Sequence, residues 1–559
     1  MATQGYFKDA VSFKKFNSTP LRTTIETAFY GNNVFCVTDM GMAYELAKES
    51  PGTIELTGMP VMHTEELGLP EGANVLLFND GTVVGRCSAA RRIVGHPGVN
   101  ASDLSTVLRE AVYAARFRTM YCGEAVVGLD EDFMIKARIL IPEGFENNLY
   151  SWMNNFQYLN EEYTARYAQS REIADADILV FVDPDWTHPD YPYGLAVFSP
   201  EQNCAAVLGM RYFGEIKKGT LTLAWGTAVR NGYASCHGGL KRYALKGDKK
   251  EDFVLAVFGL SGSGKSTITH AKHGGKYDIT VLHDDALIVN VRDKYAIAME
   301  PAYFDKLQDY PMGCDDNKYL ISVQNCGCVR TEDGKKVVVT EDVRNGNGRA
   351  MKSKHWTPNR VDRIDEPLNA ICWLMKDPTL PPVVKLTGAS LAAVMGATLA
   401  TKRTSAEHLT PGIDPNLLII ESYANPFRTY PLALDYERFK QLIEDGVDCY
   451  ILNTGDFMGK KVQPAHTLGI IEAIVEHRAV FTPFATIPGI EYLPLSDFPV
   501  DFTDAAYVAE LCNRFKDRVD FVFSRDNQKG GIDKLPGDAK DATQAVLTAL
   551  IAMKEKLQA

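Results

Sequence analysis

Residues 253–267 of this 559-residue chain read FVLAVFGLSGSGKST. An apolar run leads into a glycine-rich loop and then into residues that can begin a helix, which predicts a strand, a loop and a helix in succession. The loop fits the pattern G-x4-G-K-[ST], in which backbone N–H groups turn toward a phosphate. In that pattern Lys265 would contact the outer phosphates and the Ser266 hydroxyl would reach Mg2+. A glycine-rich turn without a ligand is the alternative, which the flanking strand and helix disfavour.

An acidic pair follows this loop along the chain. The apolar run 279–282 predicts a second strand, and Asp284 and Asp285 come soon after it. Neighbouring side chains of an extended backbone point to opposite sides, so one carboxylate can coordinate a metal while the other orients a water or a loop. A solvated acidic loop is the alternative. Ligand groups are expected at the carboxyl ends of strands in such folds, so the pair predicts a metal site near the loop.

A second segment, residues 212–219, reads YFGEIKKG, and His237 follows nineteen residues after Lys218. Taken alone, the lysine pair predicts a basic turn that faces water, and a single histidine is more often structural than a ligand. Beside the glycine-rich loop and the two aspartates, however, this lysine and this histidine become candidates for a second metal site. The combination points to phosphoryl transfer at a two-metal site.

Composition excludes several classes of protein. The net charge of −12 argues against an extended nucleic-acid surface. The sequence has no run of about eighteen apolar residues, so no membrane span is predicted. Residues 1–16 lack the apolar stretch of a secretory signal. The eleven cysteines have no repeated paired spacing, which predicts reduced thiols and a cytoplasmic protein. The expected partners are therefore small molecules, with no nucleic acid and no membrane.

The chain is long enough for two domains. The charged stretch 241–252 precedes the apolar strand, so we expect a boundary near residue 245. The N-terminal part, residues 1–245, alternates short apolar runs with turn signals, which predicts an α/β domain for the substrate. The C-terminal part, residues 246–559, is the expected nucleotide-binding domain. The fold class predicted for the whole chain is mixed α/β (α+β).

The two segments together resemble the ATP-dependent phosphoenolpyruvate carboxykinases. That family carries Gly-Glu-Met-Lys-Lys, a histidine nineteen residues after the second lysine, a Gly-Leu-Ser-Gly-Thr-Gly-Lys-Thr loop and then Gly-Asp-Asp. Further similarity lies at 84–88, at 347–349 and at 452–467, within a stretch of about 44–474. The resemblance implies a two-domain carboxykinase-like fold, with the P-loop in the C-terminal domain and the active site in the interdomain cleft.

The resemblance also implies the roles of individual residues. The metal ligands would be Lys218, His237 and Asp285 for Mn2+, with Ser266 and Asp284 toward Mg2+. The substrate-binding residues would be Arg86, Tyr212, Lys218 and Arg349. The catalytic residues would be Lys217, Lys218, Lys265 and Arg349. The nucleotide-binding residues would be Ser261, Gly262, Ser263, Gly264, Lys265, Ser266, Thr267, Glu300, Lys306, Lys461, Val462 and Thr467.

The chemistry that the resemblance implies is the conversion of oxaloacetate and ATP to phosphoenolpyruvate, ADP and CO2. Decarboxylation gives an enolate, which takes the γ-phosphoryl group in line, and the cofactors are ATP, Mn2+ and Mg2+. Such a reaction serves gluconeogenesis or anaplerosis. A lysine can ligate a metal only as the neutral amine, which the positive charge of the ion favours.

The chain departs from the family pattern at several positions. Residues 86–91 lack the family's proline and Lys-Asp pair, and Lys461 stands where an arginine is usual near the adenine. A lysine cannot stack on a base as a guanidinium can. Two alternatives therefore stay open. One is a related enzyme that uses GTP, pyrophosphate or another 2-oxo acid, and the other is a nucleotide sensor without catalysis.

Overall fold

The structure is a computed structural model that describes residues 20–79, 85–245, 252–260, 262–403, 407–409, 411–414 and 417–558. Twelve α-helices form in these residues: α1 Pro20–Ala28, α2 Met40–Glu49, α3 Ala101–Ala115, α4 Glu146–Asn155, α5 Glu161–Gln169, α6 Phe213–Arg230, α7 Lys265–His270, α8 Ala389–Ala397, α9 Leu432–Glu444, α10 Pro464–Val475, α11 Ala505–Ser524 and α12 Gly537–Gln558.

The strands of the described residues are β1 Val34–Val37, β2 Ile54–Pro60, β3 Asn74–Phe78, β4 Arg91–Ile93, β5 Met120–Asp130, β6 Phe133–Pro142, β7 Gln157–Tyr158, β8 Ile178–Asp183, β9 Leu195–Ser199, β10 Cys204–Leu208, β11 Tyr233–Ala244, β12 Asp252–Phe258, β13 Asp278–His283, β14 Ala286–Asn290, β15 Ala296–Ala298, β16 Tyr303–Lys306, β17 Leu320–Gln324, β18 Cys326–Arg330, β19 Lys336–Val343, β20 Arg349–Lys352, β21 Arg363–Ile364, β22 Ala370–Met375, β23 Val383–Leu386, β24 Ala400–Lys402, β25 Leu418–Ile420, β26 Asp448–Asn453, β27 Asp456–Phe457, β28 Lys460–Lys461, β29 Thr482–Pro483 and β30 Ile490–Tyr492. The mixed α/β class predicted from the sequence is confirmed.

The chain divides into two compact units that are not consecutive stretches of sequence. The first comprises Met1–Thr227, Ala298–Pro358 and Ser405–Ile413, and the second comprises Ala228–Ile297, Asn359–Thr404 and Asp414–Ala559. The boundary expected near residue 245 lies inside the second unit, in the connection between β11 and β12. Those two strands pair antiparallel, with Gly238 opposite Phe258, so they are neighbours in one sheet.

The first unit contains a mixed eight-stranded sheet in the order β1-β5-β6-β8-β10-β9-β4, with β7 paired to β5. Helices α1 and α3 share its core, because their apolar side chains recur at helical spacing and pack against the sheet. Helix α3 begins where the Asn100 side chain accepts a hydrogen bond from the backbone N–H of Ser102. A second, five-stranded sheet runs in the order β16-β20-β17-β3-β2.

The second unit is built on an eleven-stranded sheet in the order β21-β15-β14-β11-β12-β22-β26-β23-β30-β29, with β13 also paired to β11. Strands β12, β22 and β26 run parallel and are almost wholly buried. Their apolar side chains share a core with Ile268 of α7 and with Ile470 and Ile471 of α10. The glycine-rich loop therefore leaves the centre of this sheet. The chain's last helix is α12, which spans Gly537–Gln558.

Candidate active site

The strand, loop and helix predicted from residues 253–267 are present as β12, a turn and α7. Gly262 and Gly264 have φ angles of 80° and 94°, which residues with a Cβ rarely adopt. A Cβ on Gly259 would lie 2.2 Å from the Ser263 hydroxyl, so the loop folds too closely for a side chain there. Ser261 lies outside the described residues. Lys265, the first residue of α7, is buried.

The two aspartates follow β13 and face different partners. Asp284 is buried, with one carboxylate oxygen 3.3 Å from Nε2 of His270 on α7. Burial alone would raise the pKa of Asp284, but the His270 imidazole, together with His283 and Lys265, holds it well below its usual range. The Asp285 carboxylate instead faces the P-loop lysine, with Lys265 Nζ 3.3 Å from Oδ1. Asp284 is therefore ionised, and the two carboxylates contact different side chains of α7, His270 and Lys265.

His237 joins Asp285 through the register of the sheet. It lies on β11 opposite Ala286 of β14, and its Nε2 is 3.0 Å from Asp285 Oδ1. The other ring nitrogen, Nδ1, is in hydrogen-bond contact with the carbonyl of Ala424. If Nδ1 donates that hydrogen bond, Nε2 carries a lone pair toward Asp285, which is the tautomer a metal ligand needs. His237, Asp285 and Lys265 thus converge within the second unit.

Sequence reasoning missed the carbonyl of Ala424 and the side chain of His270. Ala424 and its neighbour Tyr423 have left-handed φ angles of 51° and 54°, although neither is glycine. This turn directs the Ala424 carbonyl toward the His237 imidazole. The contact is visible only in the fold, since no residue pattern in the sequence marks this segment. His270 had a visible signal, because it stands five residues after Lys265 on the helix that the loop begins.

The lysine pair lies on α6, not on the basic turn that was the alternative interpretation. Lys217 is buried, and its Nζ is 3.0 Å from Oε1 of Glu300, which is also buried. The other oxygen of Glu300 accepts a hydrogen bond from the Asn155 side chain at 2.6 Å. Lys218 is half-buried, with its Nζ 5.6 Å from the centre of the Trp225 ring. The sequence predicts Glu300 as a nucleotide-binding residue, whereas in the structure it forms an ion pair with Lys217. Both residues belong to the first unit.

The predicted substrate arginine and one predicted nucleotide lysine are cross-strand neighbours. Arg349 begins β20 and pairs with Lys306, the last residue of β16. The Arg349 guanidinium lies 5.8 Å from the centre of the Phe304 ring, and Lys217 Nζ lies 5.6 Å from the same centre. The Phe304 ring thus has two cations near it, from Lys217 and Arg349, which are two of the four predicted catalytic residues.

Two further predicted substrate residues lie in the first unit. Tyr212 is buried just before α6, and a Cβ on Gly214 would lie 2.4 Å from its ring, so Gly214 leaves room for that ring. Arg86 forms a parallel β-bridge with Glu407, and its carbonyl accepts a hydrogen bond from the backbone N–H of His408 at 2.7 Å.

Of the four residues predicted for the adenine and ribose pocket, three lie in the second unit, whereas Lys306 lies in the first. Lys461 ends β28 and is exposed, whereas Val462 and Thr467 are buried. Thr467 lies on α10, which shares a core with α7. Helix α10 is also tied to the segment after α7, because Glu472 Oε1 lies 2.9 Å from Nδ1 of His273. The region around Thr467 is therefore packed beside the loop helix.

Comparison with known proteins agrees with the motifs. The sequence model of the family described as phosphoenolpyruvate carboxykinase matches residues 73–493. The chain therefore belongs to the phosphoenolpyruvate carboxykinase family, and the resemblance inferred from the motifs is confirmed. None of the described helices is long and apolar enough to cross a membrane.

Three relatives carry the name phosphoenolpyruvate carboxykinase (ATP). The Aeropyrum pernix protein is 28% identical over 308 residues, which are 52% of this chain and 59% of that protein. The Alkaliphilus oremlandii protein is 24% identical over 223 residues, which are 37% of this chain and 40% of that protein. The Dictyostelium discoideum protein is 22% identical over 455 residues, which are 74% of this chain and 76% of that protein. The chain thus spans less than two thirds of the first two relatives and about three quarters of the third.

Proposed function

We propose that this chain converts oxaloacetate and ATP to phosphoenolpyruvate, ADP and CO2. The observation that carries the proposal is the convergence of His237 Nε2 and Lys265 Nζ on Asp285 Oδ1, at 3.0 and 3.3 Å. A candidate metal ligand and the P-loop lysine thus share one carboxylate, as a site that handles a metal and a phosphate together requires. Membership of the family supports the reaction.

The donor set fits a divalent transition metal such as Mn2+. Imidazole nitrogen and carboxylate oxygen suit such an ion, and the Ala424 carbonyl anchors the far side of the His237 ring. Lys218 would complete the set as a neutral amine. Ser266 and Asp284 are proposed for Mg2+ on the phosphates. When bound, these ions supply positive charge where an enolate oxygen and phosphate oxygens develop negative charge.

The residues of the first unit would bind and orient the 2-oxo acid. Arg86, Tyr212 and Arg349 would hold its carboxylates, since a guanidinium fork suits oxyanions. The Glu300 ion pair fixes the position of the Lys217 ammonium, so that its charge is directed before the reaction begins. The proposal requires residues of both units to meet in one cleft.

The bond changes follow from these positions. The bond to the departing carboxylate breaks, CO2 leaves, and its electron pair remains on the substrate as an enolate. The enolate oxygen then forms a bond to the γ-phosphorus while the bond to ADP breaks. Lys265 and Arg349 would neutralise the moving phosphoryl group. Val462, Thr467 and Lys461 would line the nucleoside pocket, and the proposed setting is the cytoplasm, which eleven free thiols support.

The test is a coupled assay of the purified chain with oxaloacetate, Mn2+ and Mg2+, comparing ATP, GTP and pyrophosphate. Phosphoenolpyruvate formed with ATP supports the proposal. Product formed only with GTP or pyrophosphate would leave the enolate chemistry in place and change the phosphoryl donor. That alternative is relevant because Lys461, proposed near the adenine, is exposed. ATP binding without product from any donor would favour a sensor.

A variant pair tests the metal site directly. His237→Gln should lower Mn2+-dependent turnover by about 100-fold or more, because a ligand is lost. His477→Gln is the matched control, since His477 is exposed beyond the end of α10 and outside the proposed metal site. Unchanged turnover in His237→Gln would contradict the proposed mechanism.

A further inference from the structure

A second group of possible metal ligands lies in the first unit, among residues to which the proposed function gives no role. His63 and Glu66 lie on the turn that follows β2, where the backbone N–H of Leu67 donates to the His63 carbonyl at 3.1 Å. His355 lies in the short 3-10 turn Lys354–Trp356 that follows β20. Strands β2 and β20 belong to the same five-stranded sheet, so the sheet brings together two turns almost 300 residues apart in sequence.

The three side chains are close enough to share one ion. The imidazole rings of His63 and His355 stack with centres 4.2 Å apart and planes inclined by 16°. His63 Nδ1 lies 3.4 Å from Glu66 Oε1. One ligand atom from each residue lies within 4.8 Å of the other two. Zn–N and Zn–O bonds are about 2.0–2.2 Å, so tetrahedral ligands lie about 3.4 Å apart, and a bound ion would draw together ligand atoms that now lie within 4.8 Å of one another.

One ring nitrogen of this group lacks a protein partner. Nε2 of His355 is shielded from water and makes no hydrogen bond within the described part of the chain. A shielded polar atom without a partner costs free energy, so native structures normally supply one. An ion between the rings would supply it, provided that the rings turn out of the stack, because a nitrogen lone pair lies in the ring plane.

The electrostatics of the group favour the ligand forms of these side chains. Burial lowers the pKa of His355, and the neighbouring His63 and Lys354 lower it further. The pKa of Glu66 is lowered by its own backbone N–H and by His63. Near neutral pH the group therefore presents a neutral imidazole at His355 and a carboxylate at Glu66, which are the forms that bind a metal.

We propose that His63, Glu66 and His355 bind one divalent transition-metal ion, with the borderline N2O ligand set that suits Zn2+. Solvent would provide the remaining ligand, since His63 and Glu66 are exposed. The ion would tie the turn after β2 to the turn after β20. Strand β20 begins with Arg349, so the site lies at the far end of a four-residue strand from a proposed catalytic side chain.

The test is calorimetric titration of the full chain with Zn2+, alongside the absorption spectrum of the Co2+-loaded protein. We expect the double variant His63→Gln/His355→Gln to bind one ion fewer than the unaltered chain and to lose the visible Co2+ band of this site. Glu66→Gln should weaken the same binding event about tenfold. His188→Gln is the matched control, because His188 lies 3.9 Å from the Asp190 carboxylate and belongs to no group of three possible metal ligands in the described part of the chain.

A further variant separates this site from the proposed catalytic one. His237→Gln should keep the ion bound at His63, Glu66 and His355, whatever it does to turnover. Equal stoichiometry and affinity in the unaltered chain and the His63→Gln/His355→Gln variant, with both folded by circular dichroism, would overturn the proposal. Loss of the ion in His188→Gln as well would indicate adventitious surface binding and would overturn it equally.

Discussion

At the scale of single residues, the pair of Lys217 and Glu300 is a buried ion pair that includes a proposed catalytic side chain. Both side chains are buried, and their charged atoms lie 3.0 Å apart. Removing one partner of such a pair leaves an uncompensated buried charge, which costs far more than the net contribution of the intact pair. The contact therefore ties the position of a proposed catalytic lysine to the stability of the fold.

Glu300→Gln should destabilise the chain by about 3–5 kcal/mol, because the Lys217 ammonium loses its counter-charge. Thermal unfolding measures the loss. The matched control is Asp520→Asn, which breaks the exposed pair between Lys516 and Asp520 at 2.6 Å and should cost less than about 1 kcal/mol. Equal shifts in the melting temperatures of the two variants would contradict the assigned role of burial.

At the scale of elements, the glycine-rich loop depends on the close approach of its own residues. Gly259→Ala places a Cβ 2.2 Å from the Ser263 hydroxyl, so the loop must open to accommodate it. We expect ATP affinity to fall about tenfold or more, as titration of the chain with ATP would measure. Gly469→Ala in α10 is the control, since a Cβ there meets no described atom within 4 Å. The control should bind ATP normally and gain about 0.5–1 kcal/mol of stability.

Helix α7 is held at its C-terminal end by Lys241 of β11. The Lys241 ammonium donates to the carbonyls of Ile268 and Ala271 at 2.7 and 3.0 Å. Burial lowers the pKa of Lys241 to about 7, whereas a lysine in the unfolded chain titrates near 10.4. Between these two values the unfolded chain binds a proton that the folded chain does not. The free energy of unfolding therefore rises with pH across this window, and the penalty is fully present below pH 7.

The pH dependence of stability tests this assignment. From pH 7 to pH 9 the unaltered chain should gain stability relative to Lys241→Met, at up to about 1.4 kcal/mol per pH unit, because methionine cannot titrate. Denaturant unfolding of both proteins at several pH values measures the difference in slope. Parallel curves for the two proteins would show that Lys241 keeps its proton throughout, as the two carbonyl acceptors would favour.

At the scale of the whole molecule, the division into units predicts which fragments can fold. A fragment of residues 246–559 lacks β11, which pairs with β12, β13 and β14, so the central sheet of the second unit would lose an interior strand. We expect this fragment to lack a cooperative thermal transition, whereas residues 228–559, which keep β11, should show one. Near-ultraviolet circular dichroism and calorimetry distinguish them. Cooperative unfolding of the shorter fragment would instead support a domain boundary near residue 245.

Much of the fold and of the candidate site was predictable because it depends on local patterns. The apolar run before the glycine loop predicted β12, since continuous apolar runs suit strands buried on both faces, and residues 279–282 predicted β13, which is only half buried. Motif spacing predicted the family, because the phosphate loop, the lysine pair and the histidine each need particular residue types at particular separations. The different partners of Asp284 and Asp285 were not predictable in this way, because the two residues lie in the bend between β13 and β14 and not on a strand.

The sequence by itself therefore determined the mixed α/β class, the family and the candidate ligands of the phosphate loop and of the metal. Only the tertiary structure decided which distant groups meet. It paired Lys217 with Glu300, aimed the Ala424 carbonyl at His237, and stacked His63 on His355. It also made β11 and β12 neighbours in one sheet across the expected boundary. Such contacts depend on strand order and register between remote segments, which hydrophobic periodicity and motif spacing do not encode.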